Sequence, residues 1–138
     1  MSNLTVDQLY SLAASVGFPD PETAAAIAMA ESRGNPAASN VVTDPLPGNG
    51  PERAFGLWQI NTLAHPNYDE TSLLDPTYNA KAAFDISQGG TNFNPWSTYI
   101  HGDYEQYMGS GPSPTLIAPS TKKRILISAG VAAVVIGG

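Results

Sequence analysis

Apolar residues recur at helical intervals through the first third of the chain. Leu9, Leu12, Ala13 and Val16 follow Thr5 and Gln8, whose types and spacing are those of a capping box, and Gly17 stops the run. A first amphipathic helix is predicted there. Asp20 as N-cap, with Pro21 at the first helical position, opens a second helix that runs through an alanine-rich stretch to Arg33 and ends at Gly34. Asn35-Pro36 breaks it. Residues 35 to about 53 then carry Pro45, Pro47, Gly48, Gly50 and Pro51 with almost no periodicity, which predicts a long loop, either functional or disordered. Gly56-Leu57-Trp58-Gln59-Ile60 is too short for its period to choose between strand and helix. Asp75-Pro76 repeats the cap-then-proline signal and predicts a helix through Tyr78, Asn79, Ala82, Ala83 and Ile86, closing near Gly89-Gly90. Asn94-Pro95 does the same for a short helix holding Trp96, Tyr99 and Ile100. Helical segments without a convincing alternating strand predict a mainly α body.

The pattern changes after Met108. Gly109-Ser110-Gly111-Pro112-Ser113-Pro114 reads as a linker, so a single globular domain is expected over residues 1–108, a Gly/Pro/Ser linker over 109–121 and a tail over 122–138. The tail is Lys122-Lys123-Arg124 followed by 14 uncharged, largely apolar residues. A helix of that length rises about 21 Å at ~1.5 Å per residue, short of the roughly 30 Å hydrocarbon core. Two readings stay open: a short membrane anchor whose basic flank snorkels, or a segment packed in a partner or partly disordered.

Composition narrows the chemistry. The 138 residues hold 12 acidic and 6 basic side chains, and the first 121 carry all of the acids but only three of the bases, a net of −9. A body this acidic is not expected to bind nucleic acid, which requires neutralising phosphates. The absence of cysteine removes disulfides, thiolate nucleophiles and Cys-based metal sites. His65 and His101 stand 36 positions apart with no ligand spacing around either, so no metal or other cofactor is expected, and both read as surface or loop residues. Met-Ser-Asn-Leu-Thr-Val-Asp-Gln has neither a basic nor a continuous apolar stretch, so export by the N-terminus is not expected.

One carboxylate stands out by position. At about 100° per residue, Ala24, Ile27 and Ala28 fall within about 60° of Glu31 on the second helix, whereas Glu22, Met29 and Arg33 lie on the far side. Glu31 therefore prolongs a small apolar stripe, near the negative end of the helix dipole and away from Arg33. Partial desolvation and the dipole both favour its protonated form, which is what a general acid needs at neutral pH. Geometry alone also allows an end-of-helix carboxylate leaning into solvent.

The wording around Glu31 shifts the balance between these. Glu31-Ser32 with Asn35-Pro36, then Gly56-Leu57-Trp58-Gln59-Ile60, resembles the Glu-Ser and Gly-Leu-Met-Gln-Ile signatures of the soluble lytic transglycosylases, relatives of goose-type lysozyme, with Trp58 where Met is common. Leu74-Asp75-Pro76-Thr77-Tyr78-Asn79-Ala80 is similar to that family's Asn-bearing helix, and Phe93-Asn94-Pro95-Trp96-Ser97-Thr98-Tyr99 to the ending of phage-borne members. The resemblance covers roughly residues 5–108 and lacks the family's Ala-Tyr-Asn-Ala-Gly motif. It implies a mainly helical lysozyme-like fold that cleaves the β-1,4 bond between N-acetylmuramic acid and N-acetylglucosamine in peptidoglycan. Glu31 would be the acid and then the base, giving a 1,6-anhydro product.

Hydrolysis is the alternative outcome and ordinarily needs a second carboxylate, for which Asp44 and Glu52 are the candidates. Ser32, Gln59, Asn79, Trp96 and Tyr99 are the candidate substrate contacts. Each has a structural reading beside it: a helix-end serine bonds the carbonyl one turn back, a buried amide satisfies backbone, and aromatics such as Trp58, Tyr78, Trp96 and Tyr99 pack cores. The setting expected from these signals is a bacteriophage virion, where the domain digests cell wall locally during entry. The expected partners are glycan strands, virion structural proteins and, through the tail, a viral or host membrane. Two other classes compete: a non-catalytic glycan-binding virion protein, and a small membrane-disrupting protein with a helical regulator.

Overall fold

A computed structural model of the chain describes residues 2–48 and 50–109. The expected linker and apolar tail fall almost wholly outside these residues. Among the described residues no helix is long and apolar enough to cross a membrane.

Helix α1 spans Val6–Val16 and opens on the predicted capping box: Gln8 N–H donates to Thr5 Oγ1 at 3.1 Å, and Thr5 N–H donates to Gln8 Oε1 at 2.9 Å. Helix α2 spans Pro21–Ser32, capped by Asp20, whose carboxylate accepts from the Thr23 N–H at 3.2 Å and its hydroxyl at 2.6 Å. Ala24, Ala25, Ala26, Ile27 and Ala28 are all fully buried, so the middle of α2 has no polar face and is the central helix of the domain. Its small side chains let α1 and the short elements below come close on several sides. Arg33 at φ 57° and Gly34 at φ 80° unwind its end. A Cβ on Gly34 would run into the Leu4 carbonyl, and Leu4 N–H donates back to the Gly34 carbonyl at 2.7 Å.

Within the long loop expected over residues 35–53, Ser39–Val42 and Glu52–Arg53 are paired as strands instead. Strands β1 (Ser39–Val42), β2 (Glu52–Phe55) and β3 (Ile60–Asn61) form an antiparallel sheet in that order, with Ser39 opposite Phe55 and Phe55 opposite Ile60. The turn before β1 and the other described residues between β1 and β2, among them Asp44, Leu46 and the prolines and glycines, stay outside the strands. The strands escaped the pattern because β1 is mostly exposed and neither β1 nor β2 exceeds four residues, too few for an alternation to register. The undecided Gly56–Ile60 stretch is a tight turn leading into β3, with Gly56 at φ 80° and Gln59 at φ 48°.

Asn79 anchors that turn. It sits fully buried on helix α3 (Pro76–Ile86), its Oδ1 accepting from Trp58 N–H at 2.8 Å and its Nδ2 donating to the Phe55 and Leu73 carbonyls at 2.8 and 2.9 Å. A Cβ on Gly56 would collide with this amide, so glycine is required where the turn crosses α3. A 3-10 turn (Ser72–Leu74) leads into α3, and helix α4 (Ser97–Ile100) is followed by a second 3-10 turn (Asp103–Tyr107). Phe18, Phe84, Phe93, Trp58 and Trp96 pack together around Ile27, Leu57 and Leu73, with Phe18 at 6.1 Å from both the Trp58 and the Phe93 ring. The body is mainly α, with a small sheet at one side of the central helix.

Candidate active site

The last turn of α2 brings Glu31 to the wall of a cleft of about 180 Å³. Glu52 from the start of β2, Gln59, Ile60 and Asn61 from the turn and β3, Ala64 and His65 beyond it, Ile86 from α3, and Pro95, Trp96 and Ser97 at the start of α4 line the rest. The volume is below the roughly 300–1,000 Å³ that encloses a drug-sized molecule.

Glu31 is half-buried, and its Oε2 accepts a hydrogen bond from Thr98 Oγ1 at 2.8 Å. Burial pushes its carboxyl above the ordinary value, the Thr98 hydrogen bond pulls part of the way back, and the negative charges of Glu52 and Asp103 push it up further. No basic side chain among the described residues pairs with it; the ion pair found there is Arg53–Glu70. Arg33, expected to point away from Glu31, is exposed beyond the end of the helix. The group is a carboxyl held toward its protonated form beside an accessible cleft.

Of the candidate substrate contacts, Gln59 and Trp96 line the cleft with Glu31, and Ser32, Asn79 and Tyr99 do not. The Ser32 hydroxyl donates to the Ala28 carbonyl at 3.0 Å and accepts from Gly34 N–H at 3.2 Å, bonds that terminate α2. Asn79 spends its whole amide on the turn. The Tyr99 ring stacks on Tyr104 at 5.0 Å and leans on Phe93 at 5.6 Å, on the packing side of α4. Gln59 has its Nε2 committed to the Gly56 and Ala38 carbonyls at 3.0 and 3.2 Å, leaving its carbonyl oxygen as the part a ligand can use. Trp96 is nearly buried and donates its indole N–H to the Trp58 carbonyl at 2.7 Å, while the Trp58 indole donates to the Ala24 carbonyl at 3.0 Å. This relay ties the start of α4 to α2 and so sets Thr98 over Glu31.

Of the two candidate second carboxylates, Glu52 lies in the cleft and Asp44 does not; Asp44 is exposed beyond β1 in the hairpin tip. Thr98, His65 and Asn61 are site residues that pattern reading passed over. His65, read as a surface or loop residue, lies in the loop after β3, half-buried with its ring 6.5 Å from Tyr68. Nothing local marks Thr98, because its partner lies 67 positions earlier and is reached only through the indole relay.

Strand alternation puts the neighbouring residue Arg53 on the other face of the sheet. There it forms a bidentate pair with Glu70, both contacts 2.7 Å, and Thr62 Oγ1 donates to the same carboxylate at 2.6 Å, in an open groove of about 630 Å³. These hydrogen bonds hold Glu70 down at about 2. Among the described residues no cluster of three or more His, Cys, Asp or Glu side chains is placed to hold a metal ion.

The model of a lysozyme-like domain family matches residues 10–98. That span contains Glu31, Glu52, Gln59, His65, Trp96 and Thr98 and all three strands. No curated protein matches the chain.

Proposed function

This chain belongs to the lysozyme-like domain family, and from that premise we propose that it is a peptidoglycan-cleaving glycosidase of the lytic transglycosylase type. The observation that carries the reading is Glu31: a half-buried carboxyl with a raised pKa, no cationic partner among the described residues, and a cleft beside it. Glu31 donates its proton to the oxygen of the β-1,4 bond between N-acetylmuramic acid and N-acetylglucosamine as the bond from C1 to that oxygen breaks. The muramic 2-acetamido oxygen closes on C1 and carries the positive charge. The Glu31 carboxylate then takes the proton of the 6-hydroxyl, whose oxygen bonds to C1, displaces the acetamido group and leaves a 1,6-anhydro end. Gln59 and Trp96 form the wall along which the sugar lies.

A second outcome has one observation in its favour. Glu52 faces the same cleft, and a carboxylate there can activate water for hydrolysis, with a separation from the acid of roughly 6.5–9.5 Å for inversion. Digestion of purified peptidoglycan by the full chain beside Glu31→Gln, with the products weighed, decides between them. Anhydro ends that vanish in the variant support the transglycosylase; reducing ends support hydrolysis. No cleavage by folded protein leaves a glycan-binding module.

We also propose delivery in a phage particle, supported by the Trp96-Ser97-Thr98-Tyr99 ending and by the basic-then-apolar residues 122–138. Recovery of the intact chain wholly apart from virions and membranes would count against it.

A further inference from the structure

Resting on that reading of Glu31, we infer that Thr98 is a positioning residue that fixes which oxygen of Glu31 carries the catalytic proton. Thr98 Oγ1 donates to Oε2 at 2.8 Å, and no other side chain or backbone N–H among the described residues donates to either oxygen of Glu31. A carboxyl oxygen whose lone pair already receives a hydrogen bond is the poorer seat for a proton, so the proton resides on Oε1. The same bond stops the carboxyl from rotating, which keeps the donating oxygen in one place when the glycosidic oxygen arrives.

The hold is built into the fold. Helix α4 has only four residues and no side-chain cap, so it does not fix itself. Its position comes from Trp96, whose indole is bonded to the Trp58 carbonyl and whose ring packs on Phe93 at 6.3 Å, and from Trp58, bonded in turn to Ala24 on α2. Thr98 and Glu31 are thus held from two ends of one bonded chain. The Thr98 bond is also the one local influence that favours the ionised form, working against burial and against Glu52 and Asp103. Other titratable groups on elements packed against α2 are Asp7 and Tyr10 on α1 and Tyr104, Glu105 and Tyr107 beside Asp103. His65 lines the cleft, and α4 itself brings no charge.

The test compares the full-chain wild type with Thr98→Val, which keeps the shape and loses the donor, and with Thr98→Ser, which restores it. The Glu31 carboxyl is titrated by carbon NMR, and kcat and KM are measured on purified peptidoglycan across pH. In Thr98→Val the titration and the alkaline limb of kcat both move to higher pH, and kcat falls roughly ten- to a hundredfold while KM holds. Thr98→Ser returns all three toward wild type. If the valine variant does not fold, Thr98→Ala removes the donor with less bulk and repeats the comparison. An unchanged Glu31 titration in the donor-less variant, or a serine variant that behaves like it, overturns the inference whatever the assay gives. A moved titration beside wild-type protein that leaves peptidoglycan uncut sustains the hold of Thr98 on Glu31 and removes the glycosidase reading instead.

Discussion

Glu31 and Glu70 are both partly exposed glutamates on the same domain, and their surroundings drive them in opposite directions. Glu70 meets a bidentate guanidinium and a threonine hydroxyl, and its carboxyl drops to about 2. Glu31 meets a threonine hydroxyl too, but its other neighbours are apolar helix and two further carboxylates, and it rises. What separates them is the presence of a cation and the amount of water left around the group. The two faces of β2 divide the roles, with Glu52 turned to the cleft and Arg53 to the ion pair. A carboxylate with a good partner is spent on structure, and one left with repulsion is available for proton transfer.

The largest effect that can break this contrast is on turnover. Glu31→Gln keeps an acceptor for Thr98 and removes the proton, so cleavage of peptidoglycan falls about 10²- to 10⁴-fold. The same change does not lower stability near pH 7. Because the folded pKa of Glu31 lies above its unfolded value, the native state holds the extra proton, and stability declines as pH rises from the unfolded toward the folded value. The glutamine variant loses that decline, so thermal melts across pH show wild type and variant diverging in the variant's favour as pH rises.

Next comes the scaffold beneath both glutamates. Asn79→Leu leaves the Trp58 N–H and the Phe55 and Leu73 carbonyls without their side-chain partners at the turn between β2 and β3. A cost of about 3 kcal/mol or more follows, seen as a melting point lower by roughly 12 °C or more. A melting point within a few degrees of wild type would mean that water or backbone takes over the bonds.

Glu52→Gln sharpens the comparison by removing one of the repulsive charges. The alkaline limb of activity moves to lower pH and the products stay anhydro; loss of turnover beyond about a hundredfold would instead place Glu52 in the chemistry as a second carboxylate. The smallest effect is expected at Glu70, which is exposed enough for salt to screen it. Its folded pKa lies below the unfolded one, so its contribution is complete above the unfolded value and is lost as pH falls toward about 2. Stability curves of Glu70→Gln and wild type therefore converge in acid and separate slightly at neutral pH, less so in high salt.

Much of the helical frame was legible along the chain, because its signals are local. Thr5 with Gln8, Asp20 with Pro21 and Asp75 with Pro76 cap the three long helices where expected. Glu31 was legible as a carboxylate continuing an apolar stripe, and Gln59 lies in the cleft with it. What escaped depends on contacts far apart in the chain. The sheet pairs strands too short and too exposed to show a period, so nothing along the chain chooses between Glu52 and Asp44, and it is β2 that carries Glu52 to the cleft. Asn79 and Ser32 each admitted two readings, and the hydrogen bonds each makes are structural ones, which spacing alone does not reveal. Thr98 carries no pattern of its own, since two indole hydrogen bonds bring it to Glu31.

Those indoles have a spectroscopic consequence. The chain contains two tryptophans, Trp58 and Trp96, both almost wholly shielded from water and both bonded into the segment that seats Thr98 over Glu31. The tryptophan fluorescence of the whole protein is therefore the fluorescence of the scaffold around Glu31. With excitation at the red edge, where the six tyrosines do not absorb, a red shift on heating, in acid or on binding a glycan reports water reaching that junction, without a label.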